Sequence, residues 1–202
     1  SQEKMAAEWE KLYYKIAFEK DLVSVIIPTY NRAENLKVML EAHLAQTYRP
    51  IEVIVCDDNS QDDDATRNMV FDFALAHRDL PIKYVNTGFD GYGLAMARNM
   101  GILESSGYYL FFNDDRMIPE KDAVEKMIKR LSSIKDKAAV WGNKGAGKRD
   151  FIENFFAIRK RHMVDAGMFN ERINLYGGQS QELRARLRKQ NFTLEYEGEA
   201  KA

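Results

Sequence analysis

Three polar clusters in this chain follow apolar runs, and each holds side chains able to bind or carry charge. PTYNR stands behind LVSVII, DDNSQDDD behind IEVIVC, and Asn113, Asp114 and Asp115 behind YYLFF. Asp57 and Asp58 read in two ways, as helix-start residues favoured by the helix dipole or as ligands. Asp62, Asp63 and Asp64 read as helix-start residues. Asp114 and Asp115 are harder to assign to structure, because adjacent carboxylates repel one another unless a cation or donor is close. Oxygen-only ligands on a loop suit Mg2+ or Mn2+, usually shared with a substrate's phosphates. A divalent ion bridging a diphosphate would stabilise the charge growing on it as it leaves. Phosphate-linked substrates are therefore the expected ligands.

Other motifs are weaker. Gly91 and Gly93 precede a helix as in a dinucleotide loop, but they follow the third strand, and Met96 stands where a third Gly or Ala belongs. Gly142, Gly147 and Lys148 have the spacing of a phosphate loop, yet Arg149 replaces the Ser or Thr needed for Mg2+. A mobile loop is the reading for that stretch. His43, His77 and His162 are dispersed and make no metal spacing, and Cys56 reads as a small core residue.

The elements that must position these clusters alternate. LVSVII is a buried strand that Pro28 should end, and Asn31 with Glu34 marks a helix start carried on by Leu36, Leu40 and Leu44. IEVIVC is a second strand, and Ser60 to Asp63 can cap a helix with Met69, Val70 and Phe73 inside. IKYV, a helix entered through glycines, YYLFF and the helix DAVEKMIKRL follow; the segment after Trp141 patterns less clearly, with FFAI as a possible strand and QELRARLRKQ as a helix before FTLEYE. Alternating units with near-continuous apolar strands imply an α/β fold, a mostly parallel Rossmann-like sheet with helices on both faces. In such sheets ligands bind beyond the carboxyl ends of the strands, where these clusters lie.

Length and composition bound the rest. At 202 residues, 45% hydrophobic and 30% charged with net charge −1, the chain reads as one domain and gives no reason to expect a nucleic-acid partner. Met5, Trp9, Leu12, Tyr13 and Ile16 mark an amphipathic helix within residues 1–21, ahead of a single domain over 22–202. Apolar runs are far shorter than the roughly 18 residues needed to span a bilayer, so the chain is not expected to be integral to a membrane. The charged start and the single cysteine favour the cytoplasm, with peripheral association at the inner face of the membrane left open.

Taken in order, VSVIIPTYNRAENL, VIVCDDNSQDD, GLAMARNMGI, GYYLFFNDDRMIP and MFNERINLYGGQSQELRARL resemble the family 2 inverting glycosyltransferases of GT-A fold, over about Val23 to Tyr196. The resemblance implies a nucleotide-sugar donor, commonly a UDP-sugar, and a saccharide or other hydroxyl acceptor. It implies that Pro28, Thr29, Tyr30 and Asp58 hold the base, with Arg98 and Asn99 near the donor. It makes Asp115 the metal ligand, for Mn2+ or Mg2+, and gives Asp114 the sugar or ribose, although Asn113 stands where many members carry a further Asp. The nucleotide half would cover about 22–115 and the acceptor half about 116–202, the latter apparently truncated.

One departure matters most. Members usually place Glu and Asp at Gln179 and Ser180, and that Asp is the general base for the acceptor hydroxyl. Neither Gln179 nor Ser180 can serve as a base near neutral pH. Glu182 is the nearest acidic substitute, two residues beyond Ser180, so on a helix it points elsewhere. Two functions stay open: an active metal-dependent transferase, and a catalytically weak or inactive donor-binding module of a larger synthase. A nucleotidyltransferase is disfavoured, since no phosphate-activating segment follows the first strand.

Overall fold

The computed structural model describes residues 22–145 and 150–202. The N-terminal amphipathic segment and the Gly147, Lys148 and Arg149 part of the glycine-rich stretch lie outside the described residues. The strands are β1 (Val23–Thr29), β2 (Ile51–Asp57), β3 (Ile82–Asn86), β4 (Tyr109–Asn113), β5 (Ala138–Asn143), β6 (Phe155–Arg159) and β7 (Thr193–Lys201). The helices are α1 (Ala33–Leu44), α2 (Ala65–Ala76), α3 (Leu94–Glu104), α4 (Ala123–Ser133), α5 (Lys160–Asp165) and α6 (Gln179–Lys189).

One seven-stranded sheet runs in the order β3-β2-β1-β4-β6-β5-β7. β3, β2, β1 and β4 are mutually parallel, while β6 runs antiparallel to both β4 and β5. β1, β2 and β4 are buried along their whole length, whereas β3 at the edge is only half-buried. Alternate side chains of β1 serve opposite faces, as strand geometry requires. Val23, Val25 and Ile27 join Leu36 and Leu40 of α1, Val70 and Phe73 of α2, and Met127 and Leu131 of α4 in one core. Ile26 joins Ala97 and Ile102 of α3 and Leu183 and Leu187 of α6 in the other. In α4 the buried positions Val124, Met127, Ile128 and Leu131 follow helical spacing, each aliphatic burial contributing about 1.5–3 kcal/mol.

Expectations about Pro28 and Asn31 are corrected. Pro28 does not end β1, which continues through Thr29; pairing with β4 stops at Ile26 while pairing with β2 reaches Asp57, so Pro28 is flanked by one paired neighbour and its missing N–H is tolerated there. Asn31 does not cap α1, whose N-cap position is Arg32. Its backbone instead sits at positive φ, its N–H donates to Ser60 Oγ at 2.8 Å and its Oδ1 accepts from Gln61 N at 2.6 Å, stitching the loops after β1 and β2 together. The short helix α5 adds an element for which the sequence offered no expectation. The N-cap position of α2 is Asp64, without a side-chain cap bond; within the expected Ser60 to Asp63 stretch, Asp62 Oδ2 accepts from Thr66 N at 3.1 Å.

Candidate functional site

The parallel strands deliver the ends of β1, β2 and β4 to one edge of the sheet. Because β6 is antiparallel, it brings its beginning to that same edge, pairing Phe155 with Asn113. A cleft of about 670 Å³ opens there, lined by residues that include Pro28, Thr29, Tyr30, Asp58, Asp114 and Asp115. Thus six of the sequence-selected residues are brought together. Arg98, Asn99, Ser180 and Glu182 are not among the lining residues.

Asp58 is set by the backbone opposite it. Its Oδ2 accepts from Gly93 N at 2.8 Å and its Oδ1 from Thr87 Oγ1 at 3.4 Å. Burial pushes the Asp58 carboxyl up, with Gly93 and Thr87 pulling the other way. A side chain at position 93 would collide with the Asp58 carboxylate, so this glycine is required by close approach. Asp57 is spent on its own loop, accepting from Ser60 N at 2.9 Å and from the Tyr84 hydroxyl.

Asp115 lines the cleft with both oxygens engaged. Thr29 Oγ1 donates to Oδ2 and Arg32 Nη1 to Oδ1, each at 3.0 Å. Burial raises the Asp115 carboxyl, opposed by the Arg32 charge and the Thr29 hydrogen bond. No group of three or more His, Cys, Asp or Glu side chains able to hold a metal occurs among the described residues. Mg2+ and Mn2+ do not require one, since such ions often take one or two protein carboxylates and complete their shell with water and phosphate oxygens. Asp115, with Asp114 beside it in the cleft, fits that mode.

Beneath the cleft sits a buried cation. Arg98 is fully buried, donating from Nη2 to Asp114 Oδ1 at 2.7 Å and from Nη1 to Gln179 Oε1 at 3.0 Å, with Glu153 Oε1 at 3.7 Å from Nη1. Its guanidinium also lies over the Phe169 ring, 5.0 Å from the centroid. Burial acts to lower the Arg98 pKa, but Asp114 and Glu153 more than reverse this and hold it charged. Asn99 turns to the chain after α5, bonding Phe169 through its backbone N–H and C=O and reaching Glu171 Oε1 at 2.8 Å.

At the position where an acid was expected, Ser180 Oγ accepts from Glu153 N at 3.5 Å. Glu182 is clasped by Arg186 of its own helix, at 2.8 and 2.9 Å, and Arg186 also bonds Ala166 O and Met168 O. Cys56 is a buried core thiol, pushed up by burial.

Sequence reasoning did not single out several residues of the site. Arg32 was visible in PTYNR, but nothing local shows that it reaches Asp115, 83 positions away. Phe89, Tyr92, Asn154 and Tyr176 line the cleft from loops without a local pattern. Gly93 was read as a helix entry; its proximity to Asp58 is a tertiary fact.

The sequence pattern described as Glycosyl transferase family 2 matches residues 24–188. Among curated proteins, the chain is 35% identical over 121 residues to the glycosyltransferase GlyA of Streptococcus pneumoniae serotype 4, covering 59% of this chain and 16% of that protein. It is 38% identical over 112 residues to the glycosyltransferase AglE of Haloferax volcanii, covering 54% of this chain and 35% of that protein. Among solved structures, it resembles the mannosyltransferase PcManGT from Pyrobaculum calidifontis in complex with GDP-Man and Mn2+, with TM-score 0.76, 22% identity, and coverage of 89% of this chain and 56% of the other. S. aureus TarS 1-349 in complex with UDP gives TM-score 0.65 at 17% identity, covering 80% of this chain and 53% of the other. These structural likenesses concern the fold, and the GT-A fold expected from the sequence is the one observed. The chain spans well under half the length of these curated relatives and just over half of the solved ones. No helix among the described residues is long and apolar enough to cross a membrane.

Proposed function

The chain belongs to glycosyl transferase family 2, and on that footing we propose that it transfers a sugar from a nucleotide-sugar donor to an acceptor hydroxyl with inversion, dependent on a divalent metal. The observation that carries this is the cleft at the ends of β1, β2 and β4, where Tyr30, Asp58, Asp114 and Asp115 converge.

In this reading Pro28, Thr29, Tyr30 and Asp58 receive the base. Tyr30 and Phe89 are both partly exposed on the cleft wall and offer flat apolar faces for stacking, while Asp58, fixed by Gly93, accepts from the polar edge of the base. Asp114 contacts the sugar or ribose. Arg98 acts through it: a fully buried cation paired to Asp114 fixes that carboxylate's rotamer and charge. Asn99 positions the chain leading to the acceptor side. Asp115 holds Mn2+ or Mg2+, a choice supported by the Mn2+ bound in the Pyrobaculum relative's structure. When bound, the ion would supply positive charge to the departing diphosphate. Before that, Arg32 balances Asp115 from the rim.

UDP is the expected nucleotide, with GDP as the competitor, since the two similar structures carry one each. A cytoplasmic site of action, with peripheral association at the inner face of a membrane, agrees with a single buried cysteine. Calorimetric titration of UDP and GDP with and without Mn2+, followed by release of nucleotide from sugar donors, tests the proposal. Metal-dependent binding of one nucleotide together with sugar transfer is expected, and absence of binding to either overturns it.

A second reading, a donor-binding module without transfer, is favoured by one observation. Gln179 is turned inward onto Arg98 and Ser180 carries no acid, so the start of α6 offers no carboxylate to the cleft. Binding without turnover in the same assay selects that reading.

A further inference from the structure

We infer that Glu153 takes the proton from the acceptor hydroxyl during transfer; this rests on the transfer reading above. Glu153 lies just ahead of β6, whose antiparallel direction carries it to the edge of the sheet where β1, β2 and β4 end. Its neighbour Asn154 lines the cleft, and Asn154 O accepts from Asp114 N at 3.1 Å. On the other side its backbone N–H meets Ser180 Oγ, so the Glu153 segment and the start of α6 are in contact.

The acids around this edge differ in what already binds them. Asp58 is held by Gly93 and Thr87, Asp115 by Thr29 and Arg32, Asp114 by Arg98, Asp90 by Asn59, and Glu182 by Arg186. The Glu153 carboxylate has an ion-pair contact with Arg98 at 3.7 Å, longer than a hydrogen bond, and no protein donor bonds to it among the described residues. Its side chain keeps 15% exposure beside the cleft. A carboxylate without a protein donor, held near a buried cation and partly exposed next to a residue of the cleft wall, has the chemistry of a general base.

The step balances with the groups present. The acceptor O–H bond breaks and its proton passes to a Glu153 carboxylate oxygen. The freed electron pair forms the bond from the acceptor oxygen to the anomeric carbon, as the bond from that carbon to the diphosphate oxygen breaks and its pair leaves with the diphosphate. Arg98 keeps Asp114 as its partner after Glu153 is neutralised, so no buried cation is orphaned by the transfer.

The test uses the whole chain with Glu153→Gln and Glu153→Ala. UDP and GDP binding with Mn2+ is measured by calorimetry, and nucleotide release is followed from UDP-glucose, UDP-N-acetylglucosamine and GDP-mannose with water and p-nitrophenyl glycosides as acceptors. Both variants should bind nucleotide as the wild type does, with donor KM little changed and kcat reduced on the order of 10²–10⁴-fold. Added formate should restore turnover to Glu153→Ala, which a merely structural role would not allow. Wild-type kcat in Glu153→Gln, or failure of formate to restore turnover, overturns the inference and leaves the donor site standing. Nucleotide binding without turnover by the wild type also overturns it, whereas no nucleotide binding overturns the transfer reading as well.

Discussion

The two sides of the cleft hold their polar groups by different means. On the side built by β1 and β2, with Asp115 from the end of β4, three acids are fixed by partners from loops at the same end of the sheet: Asp57 by Ser60, Asp58 by Gly93, Asp115 by Thr29 and Arg32. Toward β6 and α6, one fully buried arginine of α3 gathers Asp114 from the end of β4, Gln179 of α6 and Glu153 ahead of β6. The first arrangement is redundant, since several short contacts share the load. The second is centralised, so one substitution should disturb everything attached to it.

The largest expected effect breaks that centre. Arg98→Met leaves Asp114 without its buried partner, and breaking a buried pair costs roughly 3–5 kcal/mol. Chemical denaturation should show a loss of that size, and a fall well under 1 kcal/mol would show that the cation is not a hub. On the opposite side, Asp115→Asn should spare the fold but weaken Mn2+-dependent nucleotide binding by about 10- to 100-fold, the size of a lost charged contact. Equal affinity with and without the substitution, measured by calorimetry, would remove the metal from Asp115.

Gly93→Ala is a smaller perturbation on the same side. The added methyl displaces the Asp58 carboxylate, so base recognition should drop by about tenfold, near the value of one hydrogen bond to a charged group. Comparing UDP with ribose 5-phosphate localises the effect: only UDP binding should change. Glu182→Gln should do least. It removes an ion pair within α6 worth about 0.3–0.5 kcal/mol and should leave kcat intact. A large loss of kcat would return Glu182 to the chemistry and weaken the contrast drawn between the two sides.

The same contrast explains what could be read from the chain. β1, β2 and β4 were visible because buried parallel strands are continuous apolar runs, and the acids stood immediately behind them. Pro28 misled because whether a strand tolerates proline depends on where its neighbour stops pairing. FFAI could be read as a strand but not as an antiparallel one, and that direction decides that Asn154 reaches the cleft, with Glu153 just before it. Arg98 was placed near the donor by resemblance; its complete burial beneath Asp114 comes from α3 packing against α6 and the chain after α5, which no local pattern encodes. The missing acid at Ser180 was legible as a gap, while Glu153, whose backbone meets Ser180, lay 27 positions earlier in the chain.

β6 also acts as a ruler. Phe155 points into one core and Phe156 into the other, where it stacks on Phe112 with centroids 4.6 Å apart. Sliding this strand by one residue would exchange the two faces, so a slip is opposed on both sides at once. Two fully buried phenylalanines thereby fix where the preceding carboxylate begins. Errors in the length of the chain ahead of them must be absorbed upstream, leaving Glu153 and Asn154 at the same end of the sheet.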